Sequence, residues 1–211
     1  MRLPKQDHYE RARDAAARRL KDGLDADRLA RLGAELSADG RVVTLPSLCW
    51  RFEVRLDPFA VLLLPGRQEV SSVWQVLVPD YLNARAPAPP RTFLSFADFP
   101  EGRGYESAFE GRVNQRLGRG AGRERATLLQ AARRLGAVPT EGDPIRCMFR
   151  FFPLLEVQVV CYAGEEDLPP SCGVLLPDNL LTLFSMEDGI VAAERLVAAL
   201  EGKTPAARKP G

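Results

Sequence analysis

Tyr9, Ala12, Ala16 and Leu20 recur at helical spacing among Arg and Asp residues, which predicts an amphipathic helix over 6–22 that Gly23 terminates. A shorter helix follows from the N-cap Asp25 through Leu29 and Leu32 to Gly33. The apolar period then changes to two. Val42–Leu45 and Cys49–Leu56 are β-rich, and the alternation in the second run predicts a half-buried antiparallel strand. In that strand Trp50, Phe52, Val54 and Leu56 share one face, and Arg51, Glu53 and Arg55 face water. Residues 60–64 read as a further strand, ended by Pro65-Gly66. A helix over 69–84 is expected to kink or end near Val78, because Pro79 has no N–H to donate. Residues 84–90, Ala-Arg-Ala-Pro-Ala-Pro-Pro, form an extended linker too short to mark a domain boundary.

In the second half Tyr105, Phe109, Val113 and Leu117 fall four apart on one helical stripe, with Arg112 and Arg116 beside it. Gly118-Arg119-Gly120-Ala121-Gly122-Arg123 breaks the chain, and a helix carrying Leu128, Ala132 and Leu135 runs to Gly136. Residues 147–152 and 155–162 are strands joined through Pro153. Ser185 and Asp188 have the spacing of a capping box, and Ile190, Ala193, Val197 and Leu200 build a last amphipathic helix up to Gly202. Helices at both ends and strands in two blocks, without regular βαβ alternation, indicate an α+β fold. Its mostly antiparallel sheet is packed by N-terminal, central and C-terminal helices in one domain over 1–202. Residues 203–211, rich in Pro, Lys and Arg, have nothing to bury and are expected to form a disordered tail.

Composition narrows the function classes. With 45% hydrophobic and 27% charged residues the chain is globular in character, and a net charge of +1 argues against nucleic-acid binding by bulk charge. No window approaches the roughly 18 apolar residues needed to span a bilayer, and the N-terminus has no apolar signal core. The expectation is therefore a cytoplasmic protein that does not cross a membrane. Cys49, Cys147, Cys161 and Cys172 include no Cys-x-x-Cys pair, so reduced, buried thiols are expected. Cys147 and Cys161 lie on adjacent strands and can approach one another. His8 is the single histidine and lies at the first turn of the first helix, which argues against both a multi-histidine metal site and a Ser-His-Asp triad. It leaves an exposed helix-start residue or one axial ligand to a tetrapyrrole.

Residues 93–109, FLSFADFPEGRGYESAF, concentrate the candidate chemistry. Gly102, Arg103, Gly104 and Tyr105 lead into the central helix, where free N–H groups and the positive helix end can hold a phosphate or carboxylate. Arg103 or Arg112 would supply the counter-charge, with Phe109 nearby. The competing reading is a tight turn whose aromatics fill the core, and Glu101 in the same turn opposes an anion. The Gly-rich loop at 118–122 lacks the Gly-Lys-Ser/Thr ending of a phosphate cradle and follows a helix, so it reads as a flexible basic loop. Glu165 and Glu166, with Asp167, can bind a hard cation or do acid–base work, or can simply be a solvated edge.

Several of these segments occur together in a set order: the Tyr9 helix; Ser95-Phe96, then Phe99-Pro100-Glu101-Gly102 with Tyr105 and Phe109; Phe152-Pro153-Leu154-Leu155; Gly164-Glu165-Glu166-Asp167-Leu168-Pro169; and Met186-Glu187-Asp188. In this the chain resembles an uncharacterised family of cytoplasmic bacterial and archaeal proteins common in anaerobes, filed as a domain of unknown function. Some relatives neighbour corrinoid and iron-sulfur methyl-transfer genes or carry an added four-cysteine cluster domain, which this chain lacks. The resemblance implies an accessory role in anaerobic metabolism and no catalytic residue.

The expected function is a non-catalytic binding or accessory protein for a small anionic ligand, a tetrapyrrole-like cofactor or a protein partner. No cofactor is specified by the residues. The alternative is a histidine-independent transferase or hydrolase that gathers Tyr105, Arg103, Glu165 and Glu166 in one cleft. A purely structural protein would instead expose an apolar patch at Phe59, Trp74 or Leu168.

Overall fold

The computed structural model describes residues 4–140, 142–164 and 170–207. Contacts divide the chain into two compact units. One comprises residues up to Pro87 with Thr182–Phe184 and the segment from Pro205, and the other comprises Ala88–Leu181 and Ser185–Thr204. The division at Pro87 and Ala88 falls inside the proline-rich linker at 84–90.

In the first unit helices α1 (Pro4–Asp22) and α2 (Ala26–Arg31) precede a meander of β1 (Glu35–Leu36), β2 (Val42–Ser47), β3 (Trp50–Leu56), β4 (Phe59–Leu63) and β5 (Gln68–Glu69), followed by α3 (Ser72–Leu82). The five strands pair antiparallel in sequence order, as short hairpin connections require. Asp25 caps α2 by accepting the Arg28 N–H at 2.8 Å. Trp74 on α3 is buried against Phe52 and Trp50, with ring centroids 5.2 and 6.2 Å away, so it is not part of an exposed patch. Tyr81 is fully buried, and its hydroxyl donates to the Leu32 carbonyl at 2.7 Å.

Three expectations change here. Glu53 does not face water; it is 6% exposed and accepts Arg55 at 2.9 Å and Arg67 at 3.1 Å. Burial opposes its ionisation, yet these two guanidinium groups hold its carboxyl below the ordinary value. Helix α3 runs through Pro79 to Leu82, because burying Tyr81 and Leu82 on the same helix offsets one missing hydrogen bond. Pro205 and Ala207, assigned from composition to a disordered tail, bond to Ser71 and Glu69: Ser71 N donates to Pro205 O at 3.0 Å and Ala207 N to Glu69 O at 2.8 Å.

The second unit begins with β6 (Phe93–Leu94) and two 3-10 turns (Phe96–Asp98 and Pro100–Gly102). A continuous helical run then comprises α4 (Glu106–Phe109), a π-turn (Glu110–Asn114) and α5 (Gln115–Arg119). Helix α6 (Arg125–Arg134), strands β7 (Pro139–Thr140), β8 (Ile145–Phe152), β9 (Leu155–Tyr162) and β10 (Ser171–Pro177), a short α7 (Leu180–Leu183) and α8 (Met186–Leu200) follow. The sheet order is β6-β10-β9-β8-β7, antiparallel throughout. The fold is thus α+β, with the strands divided between two antiparallel sheets. A register shift between Arg150 and Phe152 allows the consecutive Phe151 and Phe152 both to be buried.

The π-turn has a sequence cause. Four-residue spacing overshoots each α-helical turn by about 40°, so Phe109, Val113 and Leu117 would drift around a regular helix. A looser turn between them retards the rotation, and all three are buried. The same turn places Asn114 over the edge of β10, where its Oδ1 accepts the Val174 N–H at 3.0 Å.

Candidate functional site

Glu201 caps the C-terminus of helix α8, and Gly202, with φ +86°, lets the chain turn away. The Glu201 carboxylate takes Arg116 from α5 in a two-pronged pair, Nε to Oε1 at 2.7 Å and Nη2 to Oε2, and Lys203 adds a contact at 2.8 Å. Arg116 first, then Lys203, outweigh the effect of burial and bring the Glu201 pKa down to about 2. From α6, Arg134 donates to the carbonyls of Ala199 and Leu200 at 3.1 and 3.4 Å, at the negative end of α8.

Between these elements lies a cleft of about 600 Å³. Its walls include Gly120 and Ala121 from the Gly-rich loop, Thr127, Gln130 and Arg134 from α6, and Glu201. The loop is held by several contacts: Gly120 N donates to Arg116 O at 2.9 Å, Gly122 N to Leu117 O at 2.8 Å and Arg125 Nη1 to Gly142 O at 2.9 Å. It is a tied wall and not the flexible basic loop that its composition suggests. In the first unit a smaller cleft of about 270 Å³ is lined by residues including Tyr9, Arg13, Glu69 and Gln75.

Beneath the loop, Cys161 on β9 and Cys172 on β10 form a disulfide. This corrects the expectation of four reduced thiols, and the partner that Cys161 bonds is Cys172 and not Cys147. Register decides it: Cys172 lies directly opposite Cys161, whereas Cys147 on β8 pairs with Val159. Cys147 is buried and free, and burial, only partly offset by the charge of Arg133, pushes its thiol up to about 11. Cys49 is exposed.

The residues singled out in the sequence are distributed differently. Gly102 is buried, and a Cβ there would lie 2.9 Å from Phe96 O and 3.0 Å from the Phe96 ring. Phe96 stacks on Phe109 at 4.4 Å, and both are buried. Gly102 and Phe109 therefore serve packing. Gly104 takes φ +93°, and Arg103 and Tyr105 are exposed, Tyr105 to 52%. Tyr105 thus leaves the buried stripe it was expected to join. Arg112 is exposed and pairs with Glu194 at 3.6 Å. Glu165 and Glu166 lie outside the described residues, as does the His8 side chain.

Arg134, Gln130, Thr127 and Glu201 carried no sequence signal as a group. The glycines at 118–122 and Gly202 were the only marks of where they meet. Among the described residues no three of His, Cys, Asp and Glu stand together as a metal-binding group, and no helix is long and apolar enough to cross a membrane.

No curated protein and no solved structure matches the chain significantly. A family profile does match it over residues 26–199, from the start of α2 into the last turn of α8 and through both units. On that match the chain belongs to the family described as a domain of unknown function, DUF3786.

Proposed function

We propose that the protein is a non-catalytic binding or accessory module that takes a small anionic ligand in the cleft between the Gly-rich loop, α6 and the end of α8. One observation carries this reading: the guanidinium of Arg134 lines the cleft, and the carboxylate that faces it from Glu201 is already neutralised from outside the cleft by Arg116 and Lys203. A carboxyl with a pKa of about 2 neither gives nor takes a proton near neutral pH, which favours recognition over acid–base catalysis. Thr127 and Gln130 add polar groups on one wall, and Ala121 and Leu200 add apolar surface. The setting we propose, from the family resemblance, is the cytoplasm of an anaerobe, where a tetrapyrrole-like cofactor or a partner protein is the other occupant to be tested.

The experiment is native mass spectrometry with an absorption spectrum on protein purified anaerobically from its own host. The expected result is a bound anionic small molecule that is retained by the wild type and lost in Arg134→Ala. An apo mass, or a bound species indifferent to Arg134→Ala, overturns the reading.

A further inference from the structure

We propose that Cys161 and Cys172 are a redox-active pair, opened by an external dithiol, and that their state sets the position of the Gly-rich loop at 118–123. The argument starts from register. The two residues face each other directly across β9 and β10, with Cα atoms 4.1 Å apart. Cys161 is buried whereas Cys172 is half-buried, so the attack is written at Cys172.

The loop lies directly on this bond. A Cβ at Gly122 would sit 2.5 Å from Cys172 Sγ and 3.4 Å from Cys161 Sγ, so only glycine fits over the closed disulfide. Gly120 and Ala121, on the same loop, form part of the cleft wall. Two thiols need van der Waals separation where a disulfide needs bonding distance. With Gly122 already against Cys172 Sγ, opening the bond displaces the loop.

Cys147 does not compete for the pairing. It lies two residues from Ile145, the β8 partner of Cys161, and therefore on the same sheet face but diagonal to Cys161. Burial keeps it protonated near neutral pH, so it is a poor attacking thiol. In the cytoplasmic setting proposed above, a disulfide is a transient or sensing bond and not a permanent staple. The inference rests on that setting, and it does not require that the cleft hold a ligand.

The step balances as thiol–disulfide exchange. A thiolate of the dithiol attacks Cys172 Sγ, the Cys161–Cys172 bond breaks, and Cys161 leaves as a thiolate that takes a proton from water. The second thiolate of the reductant then attacks its own sulfur in the mixed disulfide and expels Cys172, which is protonated in turn. Two electrons and two protons reach the cysteine pair, and the reductant becomes a disulfide.

The test is differential alkylation with hydrogen–deuterium exchange on the full chain, as isolated, after dithiothreitol, and after reoxidation with oxidised glutathione. Cys161 and Cys172 should alkylate only after native-state reduction. Amides at 118–124 should then exchange about tenfold faster and recover on reoxidation. Cys147→Ser should leave the cycle unchanged, and Cys161→Ser/Cys172→Ser should show the reduced pattern permanently. If that double variant does not fold, the dithiothreitol arm on the wild type decides. Three outcomes overturn the proposal: thiols that stay free even after oxidant, a bond that dithiothreitol opens only in denaturant, or loop exchange that is the same in both states. Loss of ligand binding with an intact redox cycle would count against the cleft alone.

Discussion

Replacing Glu201 by Gln removes the carboxylate that joins the end of α8 to Arg116 and Lys203. The carboxyl titrates near 4.5 when unfolded and at about 2 when folded. At about 1.4 kcal/mol per pH unit, the pair is worth at most about 3 kcal/mol. The Arg116 and Glu201 side chains keep 29% and 20% of their exposure, so screening reduces the figure to about 1–2 kcal/mol. Because the folded pKa is depressed, this stability is present in full above pH 4.5 and is lost as the pH falls toward 2. Glu201→Gln should therefore be less stable than wild type by about 1–2 kcal/mol at pH 7, with the gap narrowing below pH 4.5 and mostly gone by pH 3. Urea unfolding followed by circular dichroism at pH 7, 5, 4 and 3 measures it, since Trp50 and Trp74 both lie in the other unit and their fluorescence reports elsewhere. A gap that stays constant or widens as the pH falls would refute the assignment of the charge pair.

Three further outcomes are expected. Gly122→Ala places a methyl 2.5 Å from Cys172 Sγ and 3.0 Å from Leu117 O, and should cost about 2–3 kcal/mol in a denaturant melt. In a Cys172→Ala background, which removes the nearer sulfur, the cost should fall. Gly102→Ala, pressed against Phe96, should cost about 1–3 kcal/mol, whereas Tyr105→Ala on the exposed turn should stay within about 0.5 kcal/mol of wild type. Asn114→Ala uncaps the Val174 N–H on the edge of β10 and should cost about 1 kcal/mol, with faster amide exchange at Val174.

The candidate site was legible only in outline. The glycines at 118–122 marked a break, but the residues that converge there come from segments remote in sequence: Arg116 and Glu201 are 85 positions apart, and Arg134 and Ala199 are 65 apart. The aromatic stretch at 93–109 was the louder signal and proved to be packing at Phe96, Gly102 and Phe109, with Arg103 and Tyr105 left on the surface. Strand β10 went unread because Gly173 and the prolines flanking it hide its apolar run, and with it went the partner of Cys161.

What the chain alone determined is what acts over a few residues. The Asp25 and Ser185 caps, the positive-φ glycines at 33, 136 and 202, and the apolar spacing of α6 and α8 place those helices where their sequences put them. The proline-rich run in which the division at Pro87 falls was written locally as well. Tertiary structure decided the rest. Glu53 looked solvent-facing by alternation, yet it is buried because Arg67, fourteen residues on, is brought across it. Cys161 chose Cys172 over Cys147 through strand register, because Cys147 lies opposite Val159, two positions along β9 from Cys161. Local propensity selects helix or strand, but pairing register and long-range burial select which side chains meet, and those terms exist only once the chain has closed on itself.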